Sequence, residues 1–225
     1  PSINRVIQRI DELEKEYYNS EKIKIDFEED KIKMLFHNYT LRQLIFLKHK
    51  LNWKKKNVDA LVTAMITGII HGGSENYLSI SMPNTFSMSP NYIKKYVAEH
   101  NLQKPKRDVF EILKRKVEKY YFNLPSSKGD AYNLDVRRLY PLKNSSIDLI
   151  ITSPPYTKVI RYGQFNWIRL WFLGKDAKKV DKKLFFSQSI PKYSKFMMDS
   201  LREMKRVLKP RKKAVLIIGD VNDRI

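Results

Sequence analysis

The apolar run Leu149-Ile150-Ile151 stops abruptly at Thr152-Ser153-Pro154-Pro155-Tyr156, and aromatic residues then crowd the chain as far as Phe172. Two successive prolines fix φ and remove two backbone donors, so they hold a short stretch rigid with its carbonyls turned outward. A carbonyl held beside the Ser153 hydroxyl makes a preorganised acceptor pair for an NH2 group. Tyr156 adds a flat ring on which a base can stack. The set suits the exocyclic amine of a nucleobase drawn out of its helix. A buried strand that simply ends in a proline turn is the plainer alternative.

Charge points the same way. Forty-four Lys and Arg stand against 24 Asp and Glu, a formal net charge of +20. The excess is +7 in residues 1–124 and +13 in residues 125–225, so it is denser around the Ser153 motif. Basic residues bind nucleic acid by displacing counterions condensed on the phosphates, although a lysine-rich solvated surface would give the same count. The chain has no cysteine, which removes disulfides, thiolate metal sites and a cysteine nucleophile. Its four histidines (His37, His49, His71, His100) lack metal-ligand spacing, so no metal is expected. The longest apolar run, Ala60 to Ile70, is shorter than the roughly 20 residues needed to span a bilayer. A cytoplasmic protein with no membrane partner is expected.

The elements that must position the motif fall into two regions. Residues 1–124 read as mostly helical, a possible insert or DNA-contacting subdomain. Ile3, Val6, Ile10 and Leu13 lie at helical spacing, Thr40 is placed to cap a second helix, and the stretch from Val58 to Ile70 is apolar all round. Ser89 and Pro90 open a further helix, and residues 107–122 repeat the amphipathic pattern with a basic outer face. Residues 77–92 carry no charge and are rich in Met, Ser, Asn and aromatics. That suits a loop packed under the helices or one that lines a cleft.

Residues 125–225 change texture. A buried strand runs up to Thr152. A helix with Met197, Leu201, Met204 and Leu208 on one stripe follows, then a second apolar strand ending near Gly219-Asp220. Strand, helix, strand with fully apolar strands is a βαβ unit, so the fold class expected is α/β. Ligands in such sheets bind beyond the carboxyl ends of the strands, where Ser153 stands.

The motif Ser153-Pro154-Pro155-Tyr156, with Gly129-Asp130 upstream and the apolar strand to Gly219-Asp220 downstream, resembles the DNA amino-methyltransferases. These methylate cytosine N4 or adenine N6 from S-adenosylmethionine. The likeness spans roughly residues 128–221 and implies a partial Rossmann-like catalytic region. It implies that Ser153 and the Pro154 carbonyl bind the amino group, that Tyr156 stacks on the flipped base, and that Pro155 completes the motif. Asp130 and Thr152 would lie on the cofactor side. A serine in the first motif position goes with cytosine N4. Lys158, Arg161 and Arg169 are candidate phosphate contacts on double-stranded DNA, and each reads equally well as ordinary surface charge.

The chain departs from the family in one respect. Its seven glycines form no G-x-G, so the loop that would hold the methionine end of the cofactor is missing, together with the acidic residue expected to follow it. The sequence also begins at Pro1 and stops at Ile225 just after a strand. Part of the sheet is therefore expected elsewhere, on a missing segment or a second polypeptide. Weak cofactor binding and no turnover are expected of this chain alone. Two other classes stay open: an RNA or protein-amide methyltransferase, and a non-catalytic DNA-binding subunit.

Overall fold

The computed structural model describes residues 1–21, 23–84, 86–121, 129–156 and 161–218, the side chains of residues 120 and 121 excepted. Helices make up 49% of a mixed structure that also holds a small parallel sheet of two strands. The chain divides into two compact units. One is Pro1–Ser126 with Tyr162–Lys183, and the other is Ser127–Arg161 with Leu184–Ile225. A boundary near residue 125 was expected. The return of Tyr162–Lys183 to the N-terminal unit was not.

The helical unit contains α1 (Ile3–Tyr18), α2 (Asp30–Lys33), α3 (Asn38–Lys50), α4 (Asn57–Ile69), α5 (Pro90–Glu99) and α6 (Val109–Tyr121), then α7 (Trp167–Phe172) and α8 (Ala177–Asp181). Ser2 caps α1 by accepting from the Arg5 amide at 3.4 Å, and the stripe Val6, Ile10, Leu13 is wholly buried. Ser89 caps α5 as expected, taking the Tyr92 amide at 3.2 Å, with Pro90 in the first turn. Thr40 does not cap α3. That helix begins at Asn38, where the His37 ring nitrogen accepts the Tyr39 amide at 3.1 Å. Thr40 is buried in the first turn, and its hydroxyl donates to the Arg107 carbonyl at 2.6 Å.

The uncharged loop after α4 is packed, not draped. Leu78, Ile80 and Met82 are buried, and their amides bond to the carbonyls of Ile69, Leu35 and Gly72. The aromatic segment 162–173 meets this loop. The Trp167 indole donates to the Met88 carbonyl at 2.8 Å, the Ser87 amide bonds to the Phe165 carbonyl at 2.7 Å, and Phe86 meets Phe165 edge-on. Gly163 starts the segment because nothing larger fits. A Cβ there would lie 2.2 Å from the Ala177 carbonyl oxygen, while Asp181 accepts the Gly163 amide at 2.6 Å.

The second unit carries β1 (Ile147–Thr152), α9 (Ile190–Val207) and β2 (Leu208–Leu216). The strands pair in parallel, with Ile150 opposite Ala214, Ile151 opposite Val215 and Thr152 opposite Leu216. Parallel neighbours require a crossover, and α9 lies within it. Two details differ from the sequence reading. The buried face of α9 is Phe196, Ser200, Met204 and Val207, while Leu201 is 39% exposed. The stripe sits about one residue round the helix from the expected one, because Phe196 stacks on Phe185 with ring centroids 3.9 Å apart and so turns its own face inward. The strands are also not covered on both faces. Leu149, Ile151, Val215 and Ile217 are between 46% and 64% exposed, and alternation along the strands puts them on one face.

Candidate functional site

The Ser153 motif begins where β1 stops pairing. Thr152 is the last residue of the strand, and its carbonyl accepts the Ile217 amide at 2.9 Å. Beyond it Pro154 and Pro155 have no amide to give, so the ladder ends there and the chain leaves the sheet. Ser153 is exposed, Pro154 buried, and Pro155 and Tyr156 half-buried. A fixed backbone therefore presents a solvent-facing hydroxyl next to a partly sheltered ring, at the carboxyl end of a parallel strand. Asp130 is exposed in an irregular stretch of the same unit.

A polar brace ties the start of β1 to the end of α9. The Arg206 guanidinium, at the end of α9, donates to the carbonyls of Leu139 and Leu142 at 3.0 Å each and to Asn144 at 2.7 Å. It also grips Glu203, whose carboxylate accepts the Leu139 amide at 2.8 Å. The Ser145 and Ser146 amides bond to the carbonyls of Arg206 and Val207. The segment before β1 is thus tied to the residues before β2, which sets the two strands side by side. Hydrogen bonds from Arg206 keep the Glu203 carboxyl below its ordinary range. Those from Arg137, which lies over Phe196, hold Asp135 down at about 2. Lys209 and Lys212 lower Asp148 and clip the two strands together at 2.7 and 3.3 Å.

Of the other expected phosphate contacts, Arg161 belongs to the Ser153 unit and Arg169 to the helical unit. Lys158 lies outside the described residues. Arg161 is exposed in the Ser153 unit, its guanidinium 5.5 Å from the Phe186 ring centre. Arg169 belongs to the helical unit, where it is half-buried and donates to the Thr67 carbonyl at 3.0 Å. Burial lowers its pKa. It also bears on fully buried His71, whose Nδ1 shares a hydrogen bond with the Ser79 hydroxyl at 2.9 Å. Burial first, and Arg169 second, bring the His71 pKa down to about 4.

Two groups of the helical unit escape a sequence reading. Asp108 caps α6 through the Glu111 amide at 3.0 Å and also takes Gln43 at 2.8 Å and the Tyr39 hydroxyl. Burial would raise its pKa, but these bonds outweigh burial and leave it below the ordinary value. Arg107 donates to the carbonyls of Ser74, Tyr77 and Ser79, and so fixes the loop after α4 from beneath. Each arrangement joins residues more than 25 positions apart, and no local pattern announces that.

Among the described residues no group of His, Cys, Asp and Glu could hold a metal ion, and no helix is long and apolar enough to cross a membrane. No family model, curated protein or solved structure matches the chain.

Proposed function

We propose that the chain is the acceptor half of a DNA amino-methyltransferase that acts on the exocyclic amine of a flipped base, with cytosine N4 as the favoured target. One observation carries this reading: Ser153-Pro154-Pro155-Tyr156 stands at the carboxyl end of a strand in a parallel pair, where α/β sheets bind ligands. The +20 charge supports a nucleic-acid substrate.

In this role the Ser153 hydroxyl and the Pro154 carbonyl accept the two amine hydrogens, which holds the nitrogen with its lone pair free. Tyr156 stacks on the base and bears part of the cost of unstacking it. As the amine nitrogen bonds to the methyl carbon, the carbon–sulfur bond of the donor would break and S-adenosylhomocysteine would leave. The excess amine proton would pass to solvent, and no covalent bond to the protein is needed. S-Adenosylmethionine would supply the electrophilic methyl group. In this reading Asp130 and Thr152 would lie on the acceptor-proximal side of its pocket, and since the chain has no G-x-G, another segment or chain would hold its methionine end. The uncovered apolar face at Leu149, Ile151, Val215 and Ile217 supports a larger, Rossmann-like sheet completed in the same way.

The test is transfer of labelled methyl from S-adenosylmethionine to duplex DNA, total RNA or protein by the native assembly. Label is expected in DNA, strongly reduced by Ser153→Ala and nearly abolished by Tyr156→Ala, with DNA affinity little changed. Near-normal turnover by Tyr156→Ala removes the stacking role. Label in RNA or protein moves the reading to those substrates. Salt-sensitive DNA binding without any transfer would leave a DNA-binding subunit.

A further inference from the structure

The helical unit contains a cavity of about 360 Å³ where the end of α4, the loop at 74–77 and the outer face of α6 meet. Arg115, Lys116 and Lys119 line it from α6, and Ser74, Asn76 and Tyr77 line it from the loop. Among the described residues no carboxylate lines it. From this geometry we infer that the cavity is an anion site that takes a phosphate group, supplied by a nucleic acid backbone. The nucleic-acid source rests on the proposed function, whereas the anion site stands on the cavity itself.

Positions 115 and 119 are four apart and 116 and 119 three apart, so Lys119 is a helix neighbour of both other cations. Arg115 has one acidic neighbour, Glu111, at 3.8 Å, and both side chains are more than half exposed. The facing wall is fixed. Arg107 holds the Ser74 and Tyr77 carbonyls from beneath, its own amide is tied to the Thr40 hydroxyl at 3.0 Å, and the Tyr77 amide closes a turn on Ser74 at 3.1 Å. Gly72 lets the Tyr77 ring sit where it does, since a Cβ there would lie 2.5 Å from that ring. Lysine and arginine side chains beside hydroxyl and amide donors are the groups that form charge-assisted bonds to phosphate oxygens. The volume suits one phosphate with its sugar, at the small end of the usual range of ligand cavities.

The experiment compares the full chain with Arg115→Gln/Lys116→Gln/Lys119→Gln, and with a control, Lys178→Gln/Lys182→Gln/Lys183→Gln, on the same unit. Each protein is titrated with a fluorescent oligonucleotide duplex at several salt concentrations, and with inorganic phosphate and AMP by calorimetry. Circular dichroism establishes that each is folded. The α6 variant is expected to lose about two to three units of the slope of log K against log salt, one per phosphate-contacting cation, and the control less than one. Equal losses in both variants, or an unchanged slope together with unchanged phosphate and AMP binding in the α6 variant, overturn the proposal. Loss of phosphate and AMP binding with an unchanged duplex slope overturns the nucleic-acid source and leaves a small-molecule phosphate site. A reduced slope in a protein that transfers no methyl group upholds the site while the methyltransferase reading fails.

Discussion

Phe110 and Leu44 in the helical unit are wholly buried, whereas Leu149 and Ile151 in the strand unit are 52% and 64% exposed. Nearly every buried apolar side chain, from Val6 to Phe172, belongs to one cluster of the helical unit, and the strand unit adds Phe196, Met204 and Val207. The helical unit closes a core on its own. The strand unit has the sequence of a sheet interior but leaves an apolar face exposed, and the polar brace at Arg206 ties the start of its β1 to the end of α9. The same chain therefore holds one unit with a closed core and another whose strands leave an apolar face exposed.

Substitutions in the first unit should accordingly cost most. Phe110→Ala is expected to lose about 3–5 kcal/mol, the usual range for a fully buried phenylalanine. All three tryptophans (Trp53, Trp167, Trp171) lie in the helical unit, so their fluorescence follows that unit in denaturant melts. A loss below about 1 kcal/mol would mean that the cluster is loosely packed and would erase the contrast.

The next effect depends on pH. His71 titrates near 6.5 when unfolded and at about 4 when folded, because burial and Arg169 oppose its charge. The unfolded state therefore takes up the proton first. The stability that neutral His71 provides is complete above pH 6.5 and is lost as pH falls towards about 4. Integrated over that window, the loss is on the order of 3 kcal/mol. His71→Gln should flatten the stability profile between those limits, read by tryptophan fluorescence. An unchanged acid slope in that variant would assign the loss to other groups.

Those two residues also show how much the sequence could reveal. Helical periodicity located α1 and α6, an all-apolar run located α4, and the Ser89-Pro90 start of α5 held because caps are local chemistry. The parallel pairing of β1 with β2 was legible because both runs are apolar and a helix lies between them. The Arg107 anchor, the Asp108 cap network and the partners of His71 were not, since each depends on which distant segments meet. The return of residues 162–183 to the helical unit has the same cause. Their aromatics look like neighbours of Ser153 in sequence, but Gly163, Phe165 and Trp167 are held by Asp181, Ser87 and Met88.

A smaller loss is expected from the core of the strand unit. Phe196 is 6% exposed, stacked on Phe185 and lying under the Arg137 guanidinium at 5.3 Å. With few buried neighbours to leave a cavity behind, Phe196→Ala should cost about 2 kcal/mol, below the Phe110 value. Hydrogen exchange of the β1 and β2 amides is the readout, because this unit has no tryptophan. A loss equal to that of Phe110→Ala would show that the two cores are comparable and that the contrast is superficial.

The smallest effect should come from the exposed sheet face, and it tests the contrast most directly. Ile151 pairs with Val215, and the two are 64% and 46% exposed. Removing an apolar group that water already reaches forfeits little transfer energy, so Ile151→Ser should change the stability of the isolated chain by less than about 0.5 kcal/mol. Ile150→Ser, one residue along and on the opposite face, should cost more. In the native assembly the order should reverse if additional residues cover the sheet. Burying an isoleucine is worth about 1.5–3 kcal/mol, so Ile151→Ser should then weaken the association or the methyl transfer that depends on it by roughly tenfold or more. A loss above about 2 kcal/mol for Ile151→Ser in the isolated chain would mean that the face is already covered there in solution. The strand unit would then be as self-sufficient as the helical one.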